Sequence, residues 1–232
     1  VSTSKVSEPM RRFVLLSLLL LLPLVVSCSP SPRAAVTRGC ADAEAACLQG
    51  KATVVMNTSR GEINIEVDGD AAPLTAGNFI DLVRRGTYDG TMFHRVVREP
   101  VPFVVQGGDP QSSDRSVPLS QLGTGSFVDP STGLARLIPL ELSFSGEDAP
   151  RYSRVSSNPS ELQDLRLTHE RGAVAMARSQ APDSASAQFY IALRPLPELD
   201  GRYAVFGRVV QGMELVDTIE QGDRIQAVRL SD

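Results

Sequence analysis

Hydrophobic positions in the segment "ATVVMNTSRGEINIEVDG" alternate with polar ones on either side of a short polar break. Val54 and Met56 form the first run, and Ile63, Ile65 and Val67 the second. This period of two predicts a β-hairpin turning through "TSRGE", with Gly61 supplying the turn. The period then changes. In "DAAPLTAGNFIDLVRRG", Phe79, Leu82 and Val83 fall on one helical face, with Pro73 and Thr75 suited to the entry and Gly86 to the exit. A second helix is expected in "GMELVDTIEQG", where Leu215, Val216 and Ile219 line one side and Gly222 ends it. Around these lie short β-rich runs: "TMFHRVV", "FVVQGG", "GAVAMAR", "AQFYIAL", "YAVFGRVV" and "AVRL". Many short strands with few helices predict a closed or nearly closed antiparallel barrel rather than a parallel sheet.

Two stretches break this rhythm. From Pro110 to Thr168 the chain is polar and turn-rich, and only "LIPLELSF" reads as a strand. An insertion of that length is either a functional loop or a mobile one. The other stretch is the N-terminal region. Residues 10–28, "MRRFVLLSLLLLLPLVVSC", have the layout of a secretory signal peptide: a positive start, a short apolar middle and a small-residue end. The apolar part, interrupted by Pro23, is shorter than the ~20 residues of a membrane-spanning helix, although an uncleaved anchor is the alternative. Its tail, "LVVSC", resembles the lipobox of bacterial lipoproteins, which implies lipidation of Cys28. Residues 1–9 read as upstream sequence before a start at Met10, residues 29–51 as a flexible Ser- and Pro-rich tether, and residues 52–232 as one folded domain.

Charge narrows the function classes. A net charge of −4 and dispersed lysines and arginines leave no nucleic-acid footprint and no polybasic membrane patch. With only His94 and His169, and no acidic partner at ligand spacing, no metal site is expected. No G-x-S-x-G elbow is present, and "QGGD" opens into polar turn sequence rather than a helix. If Cys28 carries lipid, Cys40 and Cys47 remain as a pair in "CADAEAAC". An exported location permits a disulfide, but the spacer favours helix, and seven helical residues would part the Cα atoms by ~10 Å. Disulfide and helix exclude each other.

The candidate chemistry sits in "MFHRVV". Alternation puts Phe93, Arg95 and Val97 on one face and Met92, His94 and Val96 on the other. A guanidinium among apolar neighbours is costly unless something there needs it; the plainer reading is a solvated charge at a barrel rim. The motifs "YDG..FHRV", "FVVQGGD", "GAVAMAR", "SAQFYIAL" and "LDGRYAVFGRV" follow in series over more than half of the domain. Together they resemble the cyclophilin-type peptidyl-prolyl cis-trans isomerases, from Ala52 to the C-terminus.

The resemblance implies an all-β fold, a closed eight-stranded antiparallel barrel with two capping helices, and a peptide groove on its outer surface. It also implies roles residue by residue. Arg95 stands as the catalytic arginine, and Phe103 and Gln106 match the Phe and Gln of the family's "F-M-x-Q-G-G-D". Val104 takes the place of its Met, and Ala177 that of the groove-lining alanine. Gln188 and Tyr190 match the Gln and second aromatic of "Q-F-F", Leu199 the leucine of "L-D-G", and Tyr203 the His or Tyr before "V-F-G". Arg178 stands where many members have Asn. Glu198 stands where cyclosporin-sensitive members have Trp, which implies weak binding of that drug. "REPVP" adds three residues ahead of Phe103. No cofactor is implied.

The implied chemistry is physically coherent. An X-Pro bond turns slowly because amide resonance must be broken, over a barrier of ~18–20 kcal/mol. At the twisted state the prolyl nitrogen regains a lone pair, and a donor aimed at it stabilises that state above the planar one. Arg95 could supply this donor, Phe103, Tyr190 and Leu199 a seat for the proline ring, and Gln106 and Gln188 the orientation of substrate backbone or arginine. His94 is assigned no step. The expected partners are proline-containing peptides and folding proteins, reached by a monomer held to a membrane through its N-terminal lipid and facing the periplasm or another extracytoplasmic space. A second reading, a proline-peptide binding or assembly factor with little turnover, stands beside the first.

Overall fold

The computed structural model describes residues 39–40 and 47–231. The signal-peptide, lipobox and Cys28 expectations, and most of the tether, lie outside the described residues. Of the two exclusive readings for the remaining cysteines, the disulfide is the one formed: Cys40 and Cys47 are joined, with Cα atoms 5.8 Å apart.

The alternating segments form the expected hairpin, β1 (Lys51–Thr58) and β2 (Gly61–Asp68), turning through Ser59 and Arg60. Gly61 opens β2 at φ 131°, and a Cβ there would come within 2.9 Å of the Leu215 side chain. After helix α1 (Pro73–Arg84) come β3 (Arg95–Val97) and β4 (Val104–Gly107). The long insertion carries β5 (Glu141–Leu142), β6 (Arg151–Tyr152) and a short helix α2 (Pro159–Leu162). The chain ends with β7 (Ala173–Met176), β8 (Phe189–Ala192), β9 (Val205–Gln211), helix α3 (Met213–Val216) and β10 (Ile225–Leu230). Eight strands make one antiparallel, strongly curled sheet in the order β10-β1-β2-β9-β7-β8-β4-β3. Its edges meet over a short seam: Met92 bridges Arg224, the Phe93 amide donates to the Asp223 carbonyl (2.9 Å) and the Ile225 amide to that of Thr91 (2.8 Å).

The inward positions of the alternating runs, Val54, Met56, Ile63, Ile65 and Val67, are all fully buried. Phe79 of α1 lies among Tyr88, Phe189 and Phe206, with ring centroids 5.1, 5.6 and 4.9 Å away. The helical period therefore seats α1 against the core. The second helix is shorter than expected. Val216 and Ile219 do point inward, but regular helix stops at Val216. Beyond it the chain turns: the Asp223 carboxylate, three residues on, accepts from the Glu220 amide (2.7 Å), and the Gly222 amide donates across the seam to the Phe93 carbonyl (3.0 Å). These bonds form a local turn and a seam contact, not a continuing helix.

The insertion departs most from expectation. "LIPLELSF" supplies only the two-residue strand β5, yet the segment is packed rather than hanging free. Leu140, Leu142 and Phe144 form a small core with Ala204. Arg136 is buried against the Phe127 ring (4.7 Å) and pairs with Asp81 of α1 (2.6 Å) and with Asp129 (3.2 Å). Helix α1 has no side-chain cap of its own. Its free Leu74 and Thr75 amides donate instead to the Glu141 carboxylate, at 3.1 and 2.7 Å, which meets the need of unpaired helix-end donors. Glu141 is 2% exposed, and burial pushes its carboxyl upward from the ordinary range.

Candidate active site

Successive cross-strand partners in an antiparallel sheet share a face, so the ladder lays out a row on the outer surface. Arg95 of β3 pairs with Gln106 of β4, Gln106 with Tyr190 of β8, Tyr190 with Ala175 of β7, and Ala175 with Val205 of β9. Alternate positions, Val105, Phe189, Ile191 and Val174, face the core instead.

One expected alternation fails, with consequence. Phe93 and Arg95 are two residues apart and yet lie on opposite faces: Phe93 is fully buried in the core and Arg95 is exposed. Between them the chain changes partners, since Phe93 bonds to the seam while Arg95 begins the ladder with β4. That break sets the guanidinium outside, and it resolves the cost of a charge on an apolar strand.

The outer surface divides into a polar line and an apolar patch. Along the line, Arg95 Nη1 donates to Gln106 Oε1 (3.3 Å), Gln106 Nε2 to Gln188 Oε1 (3.1 Å), and Gln188 Nε2 to the Gly125 carbonyl (2.8 Å). The patch gathers Val104, Tyr190, Ala175 and Val205, with Phe103, Ala177, Leu199 and Tyr203 packed against them. Every site residue expected from the sequence within the described region thus falls in the line or the patch. Ala173, Ala175 and Ala192 are buried beneath this patch.

Loops complete the walls. The Phe103 amide donates to the Val97 carbonyl (3.0 Å), closing the "REPVP" detour, and Arg98 anchors it by donating to the Val216 and Ile219 carbonyls. On the far side Tyr203 meets Tyr190 edge to face, centroids 5.8 Å apart. Arg178 lies over the Tyr203 ring at 4.8 Å and donates to the Arg202 carbonyl (2.8 Å). Glu198 does not enter the patch; it is exposed and pairs with Arg194 at 2.8 Å. Beside the patch a cavity of about 380 Å³ is lined by Gln106, Gln188, Arg178 and the Gly123–Gly125 turn. The buried Asp109 shapes that turn by accepting from the Gly123 (2.6 Å) and Gly125 (3.2 Å) amides.

The His94 ring is buried beside Gly123, neither ring nitrogen has a hydrogen-bond partner among the described residues, and burial lowers its pKa. The His94 carbonyl accepts from Gln221 Nε2 (2.8 Å). Sequence reasoning gave the other histidine no role. His169 is 2% exposed, its Nδ1 lies 2.7 Å from Asp200 Oδ1, and its Nε2 lies 2.8 Å from the Tyr190 hydroxyl. Its scarcity was the only available signal, as one of two histidines in the chain. Burial pushes the Tyr190 hydroxyl well above the usual tyrosine range, so it stays protonated and able to donate. No group of three or more metal-ligating side chains occurs among the described residues.

What the arrangement can do is bounded by these parts. It offers a fixed cationic donor, tethered amides and an apolar shelf, with no nucleophile–base pair in the line. Residues 53–232 match the family described as "Cyclophilin type peptidyl-prolyl cis-trans isomerase/CLD". The chain is 38% identical over 193 residues to the putative thylakoid lumen peptidyl-prolyl cis-trans isomerase of Synechocystis sp., an alignment covering 79% of this chain and 48% of that protein. It is 35% identical over 207 residues to a chloroplastic peptidyl-prolyl cis-trans isomerase of Arabidopsis thaliana, covering 79% and 43%. The chain therefore spans about half the length of these two curated relatives. Among solved structures, a Cryptosporidium parvum cyclophilin-type isomerase superposes with a TM-score of 0.57 at 22% identity, over 78% of this chain and 98% of that one, a likeness of fold.

Proposed function

This chain belongs to the cyclophilin-type peptidyl-prolyl cis-trans isomerase family, and on that premise we propose that it accelerates X-Pro bond rotation in exported proteins by stabilising the twisted imide with Arg95. The observation that carries the reading is the Arg95–Gln106 contact set beside the apolar patch. Gln106 steadies the guanidinium while leaving its other nitrogens for substrate. Phe103, Tyr190 and Leu199 receive the proline ring, and Gln188 links the line to the Gly125 turn. An arginine keeps its charge across working pH, so the donor needs no proton transfer. Stabilising the transition state by about 6 kcal/mol would speed rotation by roughly four powers of ten.

The place of action is read as extracytoplasmic. The names of the relatives put one in a thylakoid lumen and the other in a chloroplast, and the Cys40–Cys47 bond suits an oxidising compartment. Tethering through a lipid on Cys28 rests on the lipobox-like "LVVSC".

A protease-coupled assay on an Xaa-Pro peptide tests the activity. Arg95→Ala should lower kcat/KM by roughly 10²–10³-fold, the usual cost of one transition-state donor, with native circular dichroism retained. Equal turnover in wild type and variant would remove the isomerase mechanism and leave a peptide-binding module.

A further inference from the structure

We propose that His169 is a positioning residue for the proline seat, with Asp200 fixing its tautomer and Tyr190 receiving its effect. The inference rests on the reading of Tyr190 as the floor of that seat. A carboxylate only accepts, so at 2.7 Å from Asp200 Oδ1 the Nδ1 of His169 carries the proton. In the neutral ring Nε2 is then an acceptor, and the Tyr190 hydroxyl 2.8 Å away donates to it. The same Asp200 oxygen also accepts from the His169 backbone amide at 2.9 Å. The His169 carbonyl in turn accepts from the Leu196 amide at 2.8 Å. One buried residue thereby ties the floor of the patch to the loop that carries Leu199 and, beyond it, Tyr203.

A phenylalanine at position 190 would need none of this. A tyrosine buried there must place its hydroxyl, and a buried donor left without an acceptor costs more than a pair that was never present. That asymmetry sets the test. An Asn at position 169 can keep an amide toward Asp200 but cannot reach the Tyr190 hydroxyl. His169→Asn should therefore raise KM for an Xaa-Pro peptide about tenfold with kcat nearly unchanged, the pattern of lost uniform binding. Adding Tyr190→Phe should restore KM toward the wild-type value, because the stranded hydroxyl is gone.

A second measurement uses no activity. Long-range proton–nitrogen NMR on the intact chain should show one histidine protonated at Nδ1 with Nε2 accepting, the signal lost in His169→Asn while that of His94 remains. Three results would overturn the proposal: the opposite tautomer at His169, a lowered melting temperature with KM unchanged, or a double variant as weak as His169→Asn alone. Should His169→Asn fail to fold, the tautomer decides. Should the wild type show no turnover, the proposed mechanism fails, and peptide affinity by NMR titration replaces KM in the same comparison.

Discussion

The two sides of the proposed peptide groove are built by different means. On the strand wall, Arg95, Gln106 and Val104 are placed by neighbours in a hydrogen-bonded ladder, and the Phe103 backbone closes onto Val97 next door. On the loop wall, Leu199 and Tyr203 belong to a segment outside the ladder, held by distant groups. The Ser156 amide donates to the Gly201 carbonyl (3.0 Å), the Met176 amide to that of Ala204 (3.0 Å), and Ala204 packs into the core of the insertion. The strand wall can thus lose a side chain without moving, while the loop wall depends on packing far from the groove. The insertion is accordingly packed against the segment that carries the proposed loop-wall residues.

Substitutions can break or sharpen that contrast. Phe144→Ala empties the insertion core behind Ala204 and should cost about 3–5 kcal/mol in unfolding free energy, read by denaturant titration, with KM rising as the loop wall loosens. A stability loss with unchanged KM would separate the insertion from the groove. Gln106→Ala, on the strand wall, should lower kcat/KM by about tenfold through loss of the Arg95 tether, with the melting temperature within a few degrees of wild type.

The smallest effect is set by pH. Asp129 is held at about 2, by the Ser131 hydroxyl and amide first and by Arg136 after them. A carboxylate depressed in the folded state contributes stability that is complete above its unfolded pKa of ~3.9 and is lost as pH falls through the folded value. The stability difference between wild type and Asp129→Asn should therefore shrink between about pH 4 and pH 2 in acid-unfolding curves. A difference independent of pH would mean that Asp129 acts through packing alone.

Much of the strand wall was legible beforehand. Alternation located the hairpin and its inward residues, and the ordered motifs placed Arg95, Gln106, Phe103 and Tyr190 before any contact was known. The failures share a cause. The period of "MFHRVV" cannot announce that Phe93 bonds to the seam and Arg95 to β4, because both are strand-like choices made by partners elsewhere. The short α3 has the same cause: Ile219 keeps the helical spacing, but the Gly222 amide goes to the distant Phe93 carbonyl.

By itself, then, the chain of residues determined the alternation that separates core from surface, which follows from local spacing, and its ordered motifs named the groups proposed to meet a proline. Folding in three dimensions decided the rest: which face Arg95 takes, that Glu141 caps a helix 66 residues away, and that His169 and Asp200 meet beneath Tyr190. The first follows from a change of strand partner, the other two are pairings of groups distant along the chain that satisfy buried donors or acceptors, and no period in the sequence records which partner will arrive.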